Sequence, residues 1–199
     1  KISPKLNFLF APNNKVQYFL KSGLGFHSND TRVVVSPTDK KTVPTSAGAD
    51  LGTIFKPMNN LIINSALWFL QLEQEFVYVG DAGIVEPSGK TRRMGIDFGF
   101  RYQLSKFINL NSDINYTYAR STEEPEGQNY IPLAPDLTST GGISITNYKG
   151  FSSNLNYRYL KSRPANEDNS IVAKGYFVSD FNMNYQYKKI NYGIIIENL

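Results

Sequence analysis

The side chains with chemistry to offer are few in kind and spread along the chain. One histidine is present, and it stands in His27-Ser28-Asn29-Asp30-Thr31-Arg32, where an extended segment gives way to a polar stretch. His27, Asn29, Asp30 and Arg32 could contact a ligand there; a polar strand end could equally use them to hold its own turn. A metal centre would need two or three more ligands at tetrahedral spacing, which one histidine and scattered carboxylates do not supply. Ser28 adjoins His27, yet neighbours on a strand point to opposite faces, so the two form no simple nucleophile–base pair. No nucleophile-elbow pattern occurs. With no cysteine in the chain, thiolate chemistry and a disulfide framework drop out as well. The residues predict no catalytic group, no metal site and no cofactor.

A second set is cationic. Arg92, Arg101, Arg120, Arg158 and Arg163, with Glu73, Asp97, Asp113 and Asp180, are expected on or near the polar faces of strands. A guanidinium binds carboxylate or phosphate through paired hydrogen bonds, which makes these arginines a candidate lining for an anionic ligand. The other reading pairs the charges with each other inside a wet interior. Asn166–Ser170 (NEDNS) gathers carboxylates and amides in one loop, and calcium takes about six to eight oxygen ligands. Its spacing matches no calcium loop, so a solvated loop is the better reading. Asp50, Asp97, Asp113, Asp136 and Asp180 read as inward-facing strand groups, not as acid–base pairs.

The elements that must position these groups are strands of one kind. Thr91–Ser121 is the clearest. Ile96, Phe98, Phe100 and Tyr102 alternate with Asp97, Gly99, Arg101 and Gln103; after a tight connection at Ser105-Lys106, Leu110, Ser112, Ile114, Tyr116 and Tyr118 alternate with Asn111, Asp113, Asn115, Thr117 and Ala119. Side chains on a strand alternate faces, so each arm has one apolar, aromatic face and one polar face. Each arm runs about ten residues, the length of a tilted strand crossing a bilayer, against about 5–6 for an average globular strand. That pattern predicts a transmembrane β-hairpin with its aromatic face outward.

Composition sets limits on the alternatives. Mean hydropathy is mildly negative, and no run approaches the roughly 20 apolar residues of a membrane helix; Leu61–Leu72 is broken by Asn64, Ser65 and Gln71. That excludes a helical membrane protein and leaves a barrel open. The 13 tyrosines suit belts where a ring lies in lipid and its hydroxyl among headgroups. The net charge of +4 is dispersed, with acids among the bases, and leaves no nucleic-acid footprint.

Taken in order, the chain predicts strands over Lys5–Ala11, Val16–Phe26, Ala47–Lys56, Leu61 to about Val79, the two arms of the central hairpin, Asp136–Thr146, Phe151–Lys161, Gly175–Tyr187 and Ile190–Asn198. Tight turns near 12–15, 57–60, 105–106, 147–150 and 188–189 alternate with long polar loops. The fold class is therefore all-β: an antiparallel transmembrane β-barrel, with about ten strands here of a larger up-and-down barrel, short turns at the periplasmic end and long loops at the extracellular end. A self-contained small barrel acting as a pore, adhesin or membrane enzyme is the alternative, and a soluble β-domain a third.

With those residues in view, the chain resembles the C-terminal barrel portion of a TonB-dependent outer-membrane receptor. The likeness rests on Gly23–Arg32 (GLGFHSNDTR), Ala47–Pro57 (AGADLGTIFKP), Glu86–Leu104 (EPSGKTRRMGIDFGFRYQL), Tyr130–Ile145 and Gly175–Leu199, with Glu197-Asn198-Leu199 resembling the segment before the last strand of such receptors. The resemblance implies that residues 1–199 are part of a 22-stranded barrel whose plug and closing strand lie outside this span. It further implies residence in the outer-membrane lipid and energised uptake of a small-molecule ligand, such as a ferric siderophore or another scarce nutrient. The TonB energy-coupling complex would act through the plug, without cofactor, catalysis or nucleic acid.

Overall fold

The computed structural model describes residues 2–26, 43–79, 84–87 and 89–199. Its strands are β1 (Lys5–Asn13), β2 (Val16–Phe26), β3 (Thr45–Met58), β4 (Leu61–Leu72), β5 (Phe76–Val79), β6 (Ile84–Pro87), β7 (Thr91–Gln103), β8 (Ile108–Ser121), β9 (Leu137–Tyr148), β10 (Phe151–Leu160), β11 (Arg163–Pro164), β12 (Val172–Ala173), β13 (Tyr176–Tyr187) and β14 (Ile190–Ile196). Ten of them form one antiparallel up-and-down sheet in the order β1-β2-β3-β4-β7-β8-β9-β10-β13-β14. β1 and β14 are its open edges. The pairs β5–β6 and β11–β12 are separate two-stranded ribbons at the loop end.

The alternation read from the sequence is what the sheet presents. One face carries rows such as Phe69–Met94–Tyr118, Leu67–Ile96–Tyr116 and Ser65–Phe98–Ile114. On it Phe8, Leu20, Leu51, Leu67, Ile96, Tyr116, Leu155 and Phe177 are exposed, a contiguous apolar surface that a water-soluble protein avoids. The other face carries Lys21–Asp50–Trp68 and Asn64–Gly99–Asp113–Thr140–Arg158. Among the described residues no helix is long and apolar enough to cross a membrane, a statement that leaves strands out of account.

Two devices lock the faces. On the apolar face the Tyr157 ring lies over Gly141, where a Cβ would come 2.8 Å from ring atom Cε1. The ring's hydroxyl then reaches Ser112 Oγ at 2.8 Å and Ser139 Oγ at 2.9 Å, so the polar atoms on this surface satisfy one another. On the polar face Trp68 lies over Gly95, where a Cβ would meet ring atom Cζ2 at 2.6 Å.

The tight turns are closed by their own side chains. Asn13 Oδ1 accepts from the amides of Lys15 and Val16, and Ser105 Oγ from those of Phe107 and Ile108. At this turn end Lys106, Lys149 and Lys188 sit over Phe107, Tyr148 and Tyr187, an aromatic belt with cations beside it.

Two details depart from the sequence reading. The fourth long strand stops at Leu72, and Phe76–Val79 pairs instead with Ile84–Pro87. Its run of apolar residues on both faces hid the break. At the chain's end, β14 stops at Ile196 and Asn198 turns left-handed (φ 59), a conformation Asn tolerates better than most residues. Asp180 Oδ1 accepts from the Asn198 amide, and Leu199 rejoins the ladder opposite Ser179. Glu197-Asn198 is thus a bulge.

Opposite solvents for the two faces predict unequal costs. Phe98→Arg is expected to destabilise by about 2–4 kcal/mol, the cost of arginine at a lipid-facing midplane position, and Thr140→Arg on the polar face by less than about 1 kcal/mol. Denaturant unfolding of the protein folded into phospholipid vesicles measures both; equal costs would mean that the faces share one environment.

Candidate functional site

Where the polar face meets the long loops, a hollow of about 520 Å³ is lined by Trp68, Arg93, Asn115, Thr117 and Thr138 from the sheet, by Glu75, and by Ile131–Pro135 from the loop after β8. Strand period puts the sheet residues there, since Arg93, Gly95 and Asp97 share one face of β7. The loop is held over them by hydrogen bonds to the next loop along the sheet. Leu133 N donates to Pro164 O at 2.8 Å, Tyr130 N to Glu167 O at 3.1 Å, and Arg163 Nε to Leu133 O at 3.1 Å. Leu133 takes a positive φ of 60°, and Ile131 of the same loop is buried.

The hollow's polar groups form two sets. Arg93 Nη2 pairs with Glu75 Oε1, and Thr91 Oγ1 donates to Glu75 Oε2 at 2.9 Å. With side chains about a quarter exposed, this pair is sheltered from screening. Arg93 Nε is buried and has no acceptor among the described residues. In the second set Trp68 Nε1 and Asn115 Nδ2 both donate to Asp97 Oδ1, the former at 3.0 Å, and Thr117 Oγ1 donates to Asn115 Oδ1 at 2.8 Å. Asp97 thereby holds the Trp68 ring above Gly95. A second hollow of about 420 Å³, lined by Lys5, Asn7, Lys21, Asp50 and Leu70, lies on the other side of the same indole. Trp68 is the ridge between a basic hollow and one holding a guanidinium.

The residues singled out in the sequence fare differently. His27, Asn29, Asp30 and Arg32 lie outside the described residues. Arg101 is on the polar face, paired with Asp113 at 2.7 Å and donating to the Phe100 and Ser112 carbonyls. Arg158 lies farther along that face, 3.5 Å from Asp180. Arg163 braces the loop. Arg92 and Arg120 do not face the polar side: they share parity with Met94, Ile96 and Tyr118 and sit opposite one another on the apolar face. Glu73 accepts from Thr45 N and Oγ1 at the loop end. In the NEDNS loop Asp168 Oδ1 accepts from Ser170 N and Oγ, Asn166 Oδ1 accepts from Ile171 N, and Asn166 Nδ2 donates to Ser170 Oγ. The Ser170 hydroxyl, with its amide, holds the Asp168 carboxyl below its ordinary range. Its acceptors serve the loop itself.

Arg93, Trp68 and Glu75 were not among the sequence candidates. Carrying the period of β7 two residues upstream from Gly95 would have chosen Arg93 over Arg92. Trp68 was masked by the apolar residues around it.

Ten antiparallel strands with tight turns at one end, long loops at the other and one polar face define a transmembrane β-barrel, left unclosed in this span. A family model described as TonB dependent receptor-like, beta-barrel, matches residues 1–199. Solved structures with the same fold include the ferric-catecholate import receptor Fiu of E. coli K12 (TM-score 0.75, 16% identity, 98% of this chain and 30% of that one). The ferric yersiniabactin uptake receptor FyuA of Yersinia pestis gives 0.76, 14%, 98% and 31%, and the copper transporter OprC 0.75, 15%, 98% and 33%. No curated protein sequence matches. The chain belongs to the TonB-dependent receptor β-barrel family and spans about a third of the length of these structures.

Asp97→Ala removes the acceptor shared by Trp68 and Asn115. The expected cost is about 1–3 kcal/mol for the stranded donors, read as a lower unfolding midpoint together with a change in Trp68 fluorescence. An unmoved midpoint and spectrum would mean that Asp97 does not hold the indole.

Proposed function

We propose that this chain is a C-terminal portion of the barrel of an outer-membrane receptor that takes up a scarce nutrient, with energy delivered by TonB through a plug encoded elsewhere in the full protein. The observation that carries the reading is the loop-roofed hollow around Trp68 and Arg93, on the polar face at the end where the long loops gather. Its chemistry suits an oxygen-rich anionic metal chelate. The Arg93 guanidinium meets carboxylate or catecholate oxygens, Lys21 and Lys5 add charge in the adjoining hollow, and the indole offers a flat apolar surface to an aromatic chelating group. The cargoes named for two structural neighbours, ferric catecholate and ferric citrate, fall in that class. The steps would be capture by loops and wall, then displacement of the plug by the energy transducer. A self-contained small pore is not favoured, because the family match runs the whole length of the chain.

The test uses the whole receptor in cells lacking other iron receptors. Radiolabelled ferric catecholate and ferric citrate complexes serve as probes of uptake. Arg93→Gln is expected to weaken uptake of the accepted complex about tenfold, the worth of one charge-assisted contact, and Trp68→Ala by up to about tenfold, the worth of one aromatic contact. Lys149→Gln at the turn end should leave uptake intact, and removal of TonB should abolish it. Undiminished uptake in both hollow variants, at normal surface expression, would overturn the assignment.

A further inference from the structure

The two arginines that face away from the polar side mark a second site. The register sets Gln71 beside Arg92, Arg92 opposite Arg120, and Arg120 opposite Tyr130, all on the apolar face. Directly opposed residues hold their Cβ atoms about 4.5–5.5 Å apart, and like charges so placed repel. Neither arginine has a carboxylate partner among the described residues. Arg120 is nonetheless held firmly: its guanidinium lies 4.4 Å from the Tyr118 ring centre and 4.0 Å from that of Tyr130, and Nη1 donates to Ala119 O at 2.7 Å. Arg92 is exposed. A guanidinium held in place at Arg120, with the exposed Arg92 opposite it and no carboxylate on either among the described residues, forms a fork for a phosphate.

Their level on the sheet says which phosphate. From Tyr102 to Met94 the apolar rows of β7 cover about 26 Å of strand, or about 20 Å of height at a tilt of about 40°, close to the apolar band of a membrane barrel. The arginine row comes next toward the loops, at headgroup depth. In the same row and on its loop side lies a groove of about 480 Å³ lined by Leu24, Phe26, Ala47, Gln71, Glu73 and Lys90. The nearby charges are occupied: Lys90 pairs with Glu123, and Glu73 binds Thr45.

We propose that Arg92 and Arg120, with Gln71 and Tyr130, bind the phosphate of a lipid headgroup in the leaflet at the loop end. This rests on the membrane reading above. The lipid's phosphate supplies the counter-charge that the sheet lacks, and the tyrosines keep Arg120 from folding back into the hydrocarbon.

The test is native mass spectrometry of the whole detergent-solubilised receptor with three probes: bisphosphorylated lipid A, the same lipid with its phosphates removed, and inorganic phosphate. The phosphorylated lipid should bind at least about tenfold more tightly than the dephosphorylated one, and Arg92→Gln with Arg120→Gln should erase that margin. Lys106→Gln with Lys149→Gln, at the opposite rim, should leave it. Equal binding of the two lipids, displacement by inorganic phosphate at matching concentration, or equal loss in both double variants would each overturn the site. The lipid comparison needs no variant, so misfolding cannot obscure it. In the receptor carrying no other cysteine, a fluorophore on Ile96→Cys can report whether brominated lipids touch that face. Quenching without a phosphate preference sinks the site alone; absence of quenching sinks the membrane reading.

Discussion

The structure depends on one constraint: a strand in hydrocarbon must give every backbone N–H and C=O a partner from its neighbours. That demand fixes the next-neighbour antiparallel ladder from β1 to β14. Once the ladder is fixed, the two-residue period leaves side chains only two places to go. Aromatic and aliphatic residues take one face, and Asn, Asp, Arg and Trp68 take the other. Everything functional follows from that division, including which arginine of the Arg92-Arg93 pair lines the hollow and which joins the apolar face.

Glycines paired with large rings refine the division. Tyr157 over Gly141 keeps a phenol hydroxyl bonded to two serines on the apolar face. Trp68 over Gly95 does the corresponding work on the polar face, where Asp97 holds the indole nitrogen. In both cases the missing Cβ lets a ring pack against the sheet, and the ring's polar atom chooses its direction. The long loops complete the site: Ile131–Pro135 is braced by Arg163 and Pro164 from the following loop, so the roof of the hollow belongs to two loops acting together.

Much of this was legible in the sequence. The alternation in Thr91–Ser121, the turn residues at Asn13 and Ser105, and the segregation of loop lengths carried the sheet, its order and nearly all its boundaries. Sequence reasoning failed where periodicity is silent. Leu61–Val79 is apolar on both faces, so neither its break at Leu72 nor the inward direction of Trp68 could be read. Arg92 and Arg120 were grouped with lumen charges by residue type, although the period of their own strands sends them outward; chemistry was allowed to outrank geometry. The loop ribbons and the bracing role of Arg163 depend on contacts between distant segments that no local pattern encodes.

The central claim is that the two faces of this sheet meet two solvents. The most direct measurement is a label scan along β8, one cysteine at a time from Asp113 to Tyr118 in the folded receptor, with fluorescence quenching by a lipid-phase and by a water-phase quencher. The account predicts strict alternation: Ile114, Tyr116 and Tyr118 quenched from lipid, Asp113, Asn115 and Thr117 from water. Uniform quenching from either phase would contradict it.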